Sequence, residues 1–492
     1  MKVVFYFIER FKGMLTIALV LVSLTSHSRS PGIENGALII APENDFQHAP
    51  LSVSQKRLSL GTKEYIGQIK QPTLVVLISF NNIEISTSST EWADRIFNNE
   101  YSVKSFFQTN SNEGFIVTPA TQSGVINVSV DIDHPDFGSD YSFSSKLANK
   151  ALEQVGKQID LSQFDTNLNQ QIEVRELAFV LVAAGYEKSF GGDNASHPNV
   201  WGHQSSSYLF SGKYRAAGYV LFGEKHGSKQ ASIGIICHEL GHLYFNLPDL
   251  YDRDGSSAGA GNWGVMSYGT WGSSGNQLGD RPVNMLAWSR NQIGFVELSE
   301  PKEGVEITHD RPVKVTTENE DEYFIVEYRE QSGFDQSLSG SGILITHIDE
   351  RVSSINDNEH HKLLDIEEAD GDQGLDLFRN YGSASDLFAT NHSQWSFTED
   401  TTPNSDSYSK GPSSVSIMFS TIDESTNSVG ITFFEDAPVA QSPLHVGDMN
   451  MIWLSALVLM MFYGLVFKKI RKRFAVQNLS KGCRSLTNRN KQ

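Results

Sequence analysis

His238-Glu239-Leu240-Gly241-His242, followed by Asn246-Leu247-Pro248-Asp249, holds the residues of this chain whose types and spacing can do chemistry. On a helix, positions four apart lie one above the other, so His238 and His242 can direct two imidazole nitrogens at a single zinc ion. Glu239 is the next residue round and falls beside the coordination position the protein leaves open. A carboxylate there can take a proton from water and hand it to a leaving amine. Catalytic zinc keeps three protein ligands, so a third must come from beyond the helix. Asp249 is the candidate, because Asn246 tolerates the left-handed conformation that ends a helix and Pro248 cannot continue one. Asp252 is the alternative third ligand.

These residues need a buried helix and a floor. Ala231 to Cys237 is an apolar approach suited to the first, and Asn262-Trp263-Gly264-Val265-Met266-Ser267-Tyr268 reads as the second. In this reading it is a Met-turn, with Met266 packed beneath the ligands as structural support and Tyr268 aimed at the metal or at an oxyanion. Cys237 adjoins a ligand and reads as a small buried hydrophobe rather than a reactive thiol.

With these motifs the chain resembles the immune-inhibitor-A-like family of secreted zinc metallopeptidases, whose signature is a zinc helix running into a Gly-Leu-Pro-Asp-like turn. The similarity extends from Pro72–Phe80, like the family's opening strand, through Ser102–Phe107, to Glu322–Glu327, Gly342–Asp349 and Glu368–Gly371. It implies zinc, hydrolysis of protein or peptide substrates, and a tryptophan and histidine near the cleft, here Trp201 and His203. The chain departs from the family in one place: Asp249 lies eleven residues after His238 rather than ten, with Asn246 where glycine is usual.

Asp165 to Glu176 offers a second cation site. Oxygen donors at Asp165, Asn167 and Asn169, the Gln171 carbonyl and Glu176 fall at loop positions 1, 3, 5, 7 and 12 of an EF-hand-type calcium loop. Gln170 stands where glycine normally allows the sharp turn. Helical spacing from Leu147 to Ile159 precedes the loop, and Leu177 to Ala184 is read as the helix after it. The resemblance implies calcium here as well. His347, His360 and His361, with Asp349, Asp365, Asp370 and Asp372, are further polar groups, read as exposed loop residues.

The expected fold class is α+β: a mixed α/β zincin-like catalytic domain over residues 72–300, a β-sandwich-like domain over 301–435, and a C-terminal transmembrane helix. Ala287–Gly294 reads as the helix closing the catalytic domain. Residues 1–30 have the layout of a secretory signal peptide. Residues 31–71 read as a propeptide or N-terminal arm, and 436–448 as a linker. Residues 449–467 are long and apolar enough to span a bilayer, and the basic tail 468–492 follows. The positive-inside rule keeps that tail cytoplasmic and leaves the catalytic body outside, at the cell envelope or surface, anchored or released after tail processing.

Of 492 residues, 39 are Lys or Arg and 58 are Asp or Glu. The two ends hold 13 of the bases and one of the acids, leaving 26 bases against 57 acids in residues 31–467. So acidic a body disfavours nucleic acid and suits divalent cations. Two cysteines exclude a disulfide framework. A reading from another class is a calcium-dependent surface binding or adhesion protein on a degenerate peptidase fold. The general base Glu239 opposes it, because a merely structural zinc site needs none.

Overall fold

The computed structural model describes residues 68–433, apart from 139–140, 303–304, 390–393, 409–410 and 424–427, together with the short strands Ile33–Glu34 and Ala37–Leu38. The expected signal segment, linker, membrane helix and basic tail lie outside the described residues, as does most of the 31–71 arm. Among the described residues no helix is long and apolar enough to cross a membrane.

The first half is built on a twisted sheet. Its core strands are β1 (Ile69–Ser79), β2 (Phe115–Pro119), β3 (Val125–Ser129) and β4 (Ala178–Glu187), with β5 (His203–Ser211) and β6 (Tyr214–His226) beyond. β1 pairs in parallel with β4 on one side and with β2 and then β3 on the other, β4 pairs in parallel with β6, and β5 joins β6 antiparallel. A parallel sheet of this kind is covered on both faces, so its central strands read as unbroken apolar runs. In β1, Leu74, Val76 and Ile78 enter one core and Val75 and Leu77 the other.

Helix α1 (Ser144–Gln158) covers the first face with Leu147, Ala151, Leu152 and Val155. Helix α2 (Ile233–Phe245) covers the second, and all thirteen of its residues are buried. Apart from His238, Glu239 and His242 it carries apolar or small residues and Tyr244, as suits a helix enclosed on every side.

Here one expectation is corrected. Leu177 to Ala184 is no helix: from Ala178 onward it is the sheet-centre strand β4. A short continuous apolar run does not reveal its period, and burial on both sheet faces decides for the strand. The Asp165–Glu176 loop therefore joins a helix to a strand rather than two helices. The short helix α3 (Ala287–Gln292) falls within the expected closing helix.

The second half is two antiparallel four-stranded sheets. One has the order β7 (Val305–Ile307), β14 (Ser428–Phe433), β13 (Ile417–Asp423), β12 (Ser396–Phe397). The other runs β8 (Val313–Thr316), β9 (Glu322–Arg329), β10 (Gly342–Asp349), β11 (Leu364–Ile366). Ile307, Ile417 and Val429 of the first meet Val313, Phe324 and Ile345 of the second in one apolar core. The alternate residues Tyr323, Ile325, Leu344 and Ile348 face the other way. They join the core of α2, with Leu240 and Met266. The β-rich half thus packs onto the layer that carries the His238 helix, with no apolar gap at residue 300.

Candidate metal centre

Two glycines and one asparagine let α2 sit where it does. A Cβ at Gly234 would stand 1.9 Å from the Thr270 carbonyl oxygen, and one at Gly241 would stand 2.7 Å from Met266 Sδ. The missing side chain at Gly241 is what admits the Met266 thioether beneath the helix. Asn246 ends the helix at φ 55°, ψ 36°, in the left-handed region that asparagine tolerates. The chain then returns, and Leu250 is fixed from both sides: its N–H donates to the Met266 carbonyl at 2.7 Å and its own carbonyl accepts from Ala260 N at 2.8 Å.

That return brings Asp249 to the helix. His238 Nε2 lies 3.0 Å from His242 Nε2 and 3.0 Å from Asp249 Oδ1, and His242 Nε2 lies 3.2 Å from the same oxygen. His238 Nδ1–H donates to the Val265 carbonyl at 2.8 Å, and His242 Nδ1–H donates to the Leu247 carbonyl at 2.6 Å. With each ring proton given to a backbone oxygen, both Nε2 atoms present lone pairs to one point. Two such nitrogens and a carboxylate oxygen repel unless a cation sits among them. The edge of a tetrahedral zinc site with ligand distances near 2.0–2.1 Å is about 3.3 Å, close to the separations here. The residues fit the ion.

Glu239 is fully buried, and neither carboxylate oxygen has a hydrogen-bond partner among the described residues. Burial raises its pKa, nearby Asp249 and Glu187 add to the rise, and His242 pulls it back, leaving it at about 8. A carboxyl poised near neutrality is suited to both accepting and releasing a proton. Asp249 behaves in the opposite way: burial pushes it up, but its interactions with the adjoining His242 and His238 hold it well below the usual carboxylate range.

Asp252 is occupied elsewhere. Its Oδ1 accepts from Asp254 N and Gly255 N, and its Oδ2 from Ser256 Oγ and Ser257 N, so it caps the 252–257 turn. Tyr268 is buried against Tyr381, with ring centroids 4.6 Å apart, and against Tyr251 at 6.3 Å. Tyr251 itself stacks on His238 at 6.3 Å. Burial raises the Tyr268 phenol further above its ordinary range. His203 is buried on β5 with its Nδ1 2.8 Å from the Trp201 carbonyl, and burial lowers it to about 4. Burial also pushes the Cys237 thiol well up, away from reactivity.

In the second candidate loop, Gln170 adopts φ 63°, the left-handed turn that glycine would otherwise supply. Glu176 folds back to accept from Thr166 N at 2.8 Å and Glu173 N at 3.0 Å. The groups of three ligand-type side chains among the described residues are His238, His242 and Asp249, and Glu368, Asp370 and Asp372. The loop at 165–176 is in neither.

The histidines read as exposed loop groups divide. His347 is buried on β10, a correction that follows from its place in a strand covered on both faces, whereas His361 is partly exposed and bonded to Asp349. Sequence reasoning missed Tyr251, the Val265 and Leu247 carbonyls and the buried Glu187. Glu187 accepts from Ser189, Gly202 and Gly223. No motif marks a backbone carbonyl, and Glu187 is distinguished only by what folds around it.

Comparison with known proteins adds one match to this geometry: residues 93–296 match the family model of the immune inhibitor A peptidase M6 catalytic domain, a span that contains every residue of the cluster. No curated protein matches. Among solved structures, wild-type OgpA from Akkermansia muciniphila is similar over 61% of this chain and 90% of its own, at 11% identity and a TM-score of 0.30, which is too slight to argue from.

Proposed function

We propose that this chain, a metallopeptidase of the immune-inhibitor-A-like family by residues 93–296, is a zinc-dependent endopeptidase that cleaves extracellular proteins. The observation that carries the reading is the convergence of His238 Nε2, His242 Nε2 and Asp249 Oδ1 within 3.2 Å of one another beside a buried, unpartnered Glu239. A zinc ion held by these ligands supplies Lewis acidity to a water and to the scissile carbonyl. Glu239 takes the proton from the attacking water and returns it to the departing amine. Tyr268, kept protonated by burial, has an O–H to donate at neutral pH, which suits a hydrogen bond to the developing oxyanion. The Val265 and Leu247 carbonyls hold the two imidazoles in the ligating tautomer.

Calcium at Asp165, Asn167, Asn169, Gln171 and Glu176 is a second part of the proposal, supported by the left-handed Gln170 and the folded-back Glu176. It predicts a calcium-dependent rise in melting temperature that Glu176→Gln removes. The secreted, membrane-anchored arrangement is proposed from the sequence of residues 1–30 and 449–492.

The test is casein cleavage and zinc content of the purified protein beside Glu239→Ala. We expect loss of about 10²–10⁴-fold in turnover with zinc retained. Equal turnover, or wild-type cleavage that survives exhaustive chelation, would overturn the reading.

A further inference from the structure

We infer that Arg329 is a positioning residue for the metal ligands, acting from the β-rich half through the loop that carries Met266. Arg329 ends β9 and is fully buried. Its Nε and Nη2 donate to Asp335 at 3.1 and 2.9 Å, while Nη1 donates to the Trp263 carbonyl at 2.6 Å. Two residues further along, the Val265 carbonyl receives the His238 Nδ1–H, and the next carbonyl, that of Met266, receives Leu250 N beside Asp249. One guanidinium therefore fixes the start of a four-residue segment whose end orients two of the three candidate ligands.

Two further contacts hold the same segment. Trp263 Nε1 donates to Asp386 at 3.2 Å, and Asn262 N donates to the Tyr381 carbonyl at 2.6 Å. Arg329, Asp335, Tyr381 and Asp386 all lie beyond residues 93–296, outside the span that matches the peptidase family. The ligand set and the carbonyls that orient it are contained in the matched span, yet groups that hold the segment bearing the Val265 and Met266 carbonyls are supplied from outside it.

Arginine suits this place because its planar fork serves a carboxylate and a carbonyl at once. Lysine, with one compact ammonium, can satisfy one of them well but not both in the same geometry. A purely structural Arg329–Asp335 pair would affect folding and leave the zinc affinity of the folded protein unchanged. A positioning role predicts that the affinity moves, since partners that orient a metal-bound imidazole are worth about 10–100-fold in metal affinity.

The role rests on zinc being held by His238, His242 and Asp249, and one set of measurements tests both. Zinc dissociation constants are obtained by chelator competition on the full-length wild type, Arg329→Lys and Asp335→Asn, with folding checked by circular dichroism and the cobalt-substituted forms compared by visible absorption. Arg329→Lys is expected to bind zinc about 10–100-fold more weakly and to shift the cobalt spectrum. Asp335→Asn keeps the carbonyl contact and should lose less, and it decides the matter if Arg329→Lys does not fold. Folded variants with wild-type affinity and spectrum overturn the positioning role alone. A wild type without stoichiometric zinc overturns the metal reading and the positioning role with it.

Discussion

Among the described residues, two buried histidine–carboxylate clusters are built on opposite principles. At the first, His238 and His242 give their Nδ1 protons to backbone carbonyls and turn both Nε2 atoms toward one point shared with Asp249. At the second, His347 on β10 divides its nitrogens: Nε2 lies 3.2 Å from Glu322 and Nδ1 3.2 Å from Glu367, with the ring stacked on Tyr408 at 4.3 Å. Burial lowers the pKa of His347, but hydrogen bonds to the two carboxylates raise it more, to about 9. The second cluster is an imidazolium whose protons are both accepted. The first is a set of acceptors in want of a cation. The direction of the nitrogens, rather than the nearness of acids, separates a metal site from an ion pair.

The largest expected effect lies at the first cluster. Asp249→Ala should abolish stoichiometric zinc binding in elemental analysis, whereas Asp252→Ala, which removes a turn cap, should retain it. Zinc lost in the second and kept in the first would reverse the assignment.

His347→Gln is expected to leave zinc binding intact and lower stability by about 3–5 kcal/mol, because it takes the cation from Glu367 and breaks a buried pair with Glu322, which keeps Arg351. Thermal melts of the metal-free proteins check this, and zinc loss would erase the distinction between the clusters. The pH dependence sharpens it. A histidine whose folded pKa of about 9 exceeds the unfolded value near 6.5 binds more protons in the folded state between those limits. Its contribution is complete below about pH 6.5 and is lost as pH rises through about 9. The wild-type melting temperature should therefore fall over that window more steeply than that of His347→Gln, and parallel profiles would refute the assignment.

The smallest effect is at Gly241. Gly241→Ala presses a methyl group against Met266 Sδ, for which overpacking costs about 1–3 kcal/mol in denaturant titrations. An unchanged midpoint would mean that the thioether moves aside freely.

How much was legible follows from range. The helix that carries His238, Glu239 and His242 could be read because residues four apart in a helix are neighbours whatever the fold, and the Asn246 and Pro248 stop signals act locally as well. Met266 could be read through its glycine-rich setting. Val265, Leu247 and Arg329 could not, since their parts are played by backbone carbonyls or across 66 residues of chain, as in the contact from Arg329 to Trp263. Leu177 to Ala184 reads as helical in the sequence because local apolarity carries no period, whereas Ala178–Glu187 is a strand. His347 reads as an exposed polar residue in the sequence because its two carboxylates sit 25 and 20 residues away.

What the sequence by itself determined is the chemistry on offer: two imidazoles and a general base on one helix, an acid after a forced turn, and an acidic body. Local backbone geometry is enough for that. Which acid reaches the histidines, which tautomer they hold, and that the β-rich half buttresses the Met266 loop were decided only by tertiary structure. Those outcomes depend on hydrogen bonds between segments distant in the chain, and such bonds form only when burial has brought the two halves together.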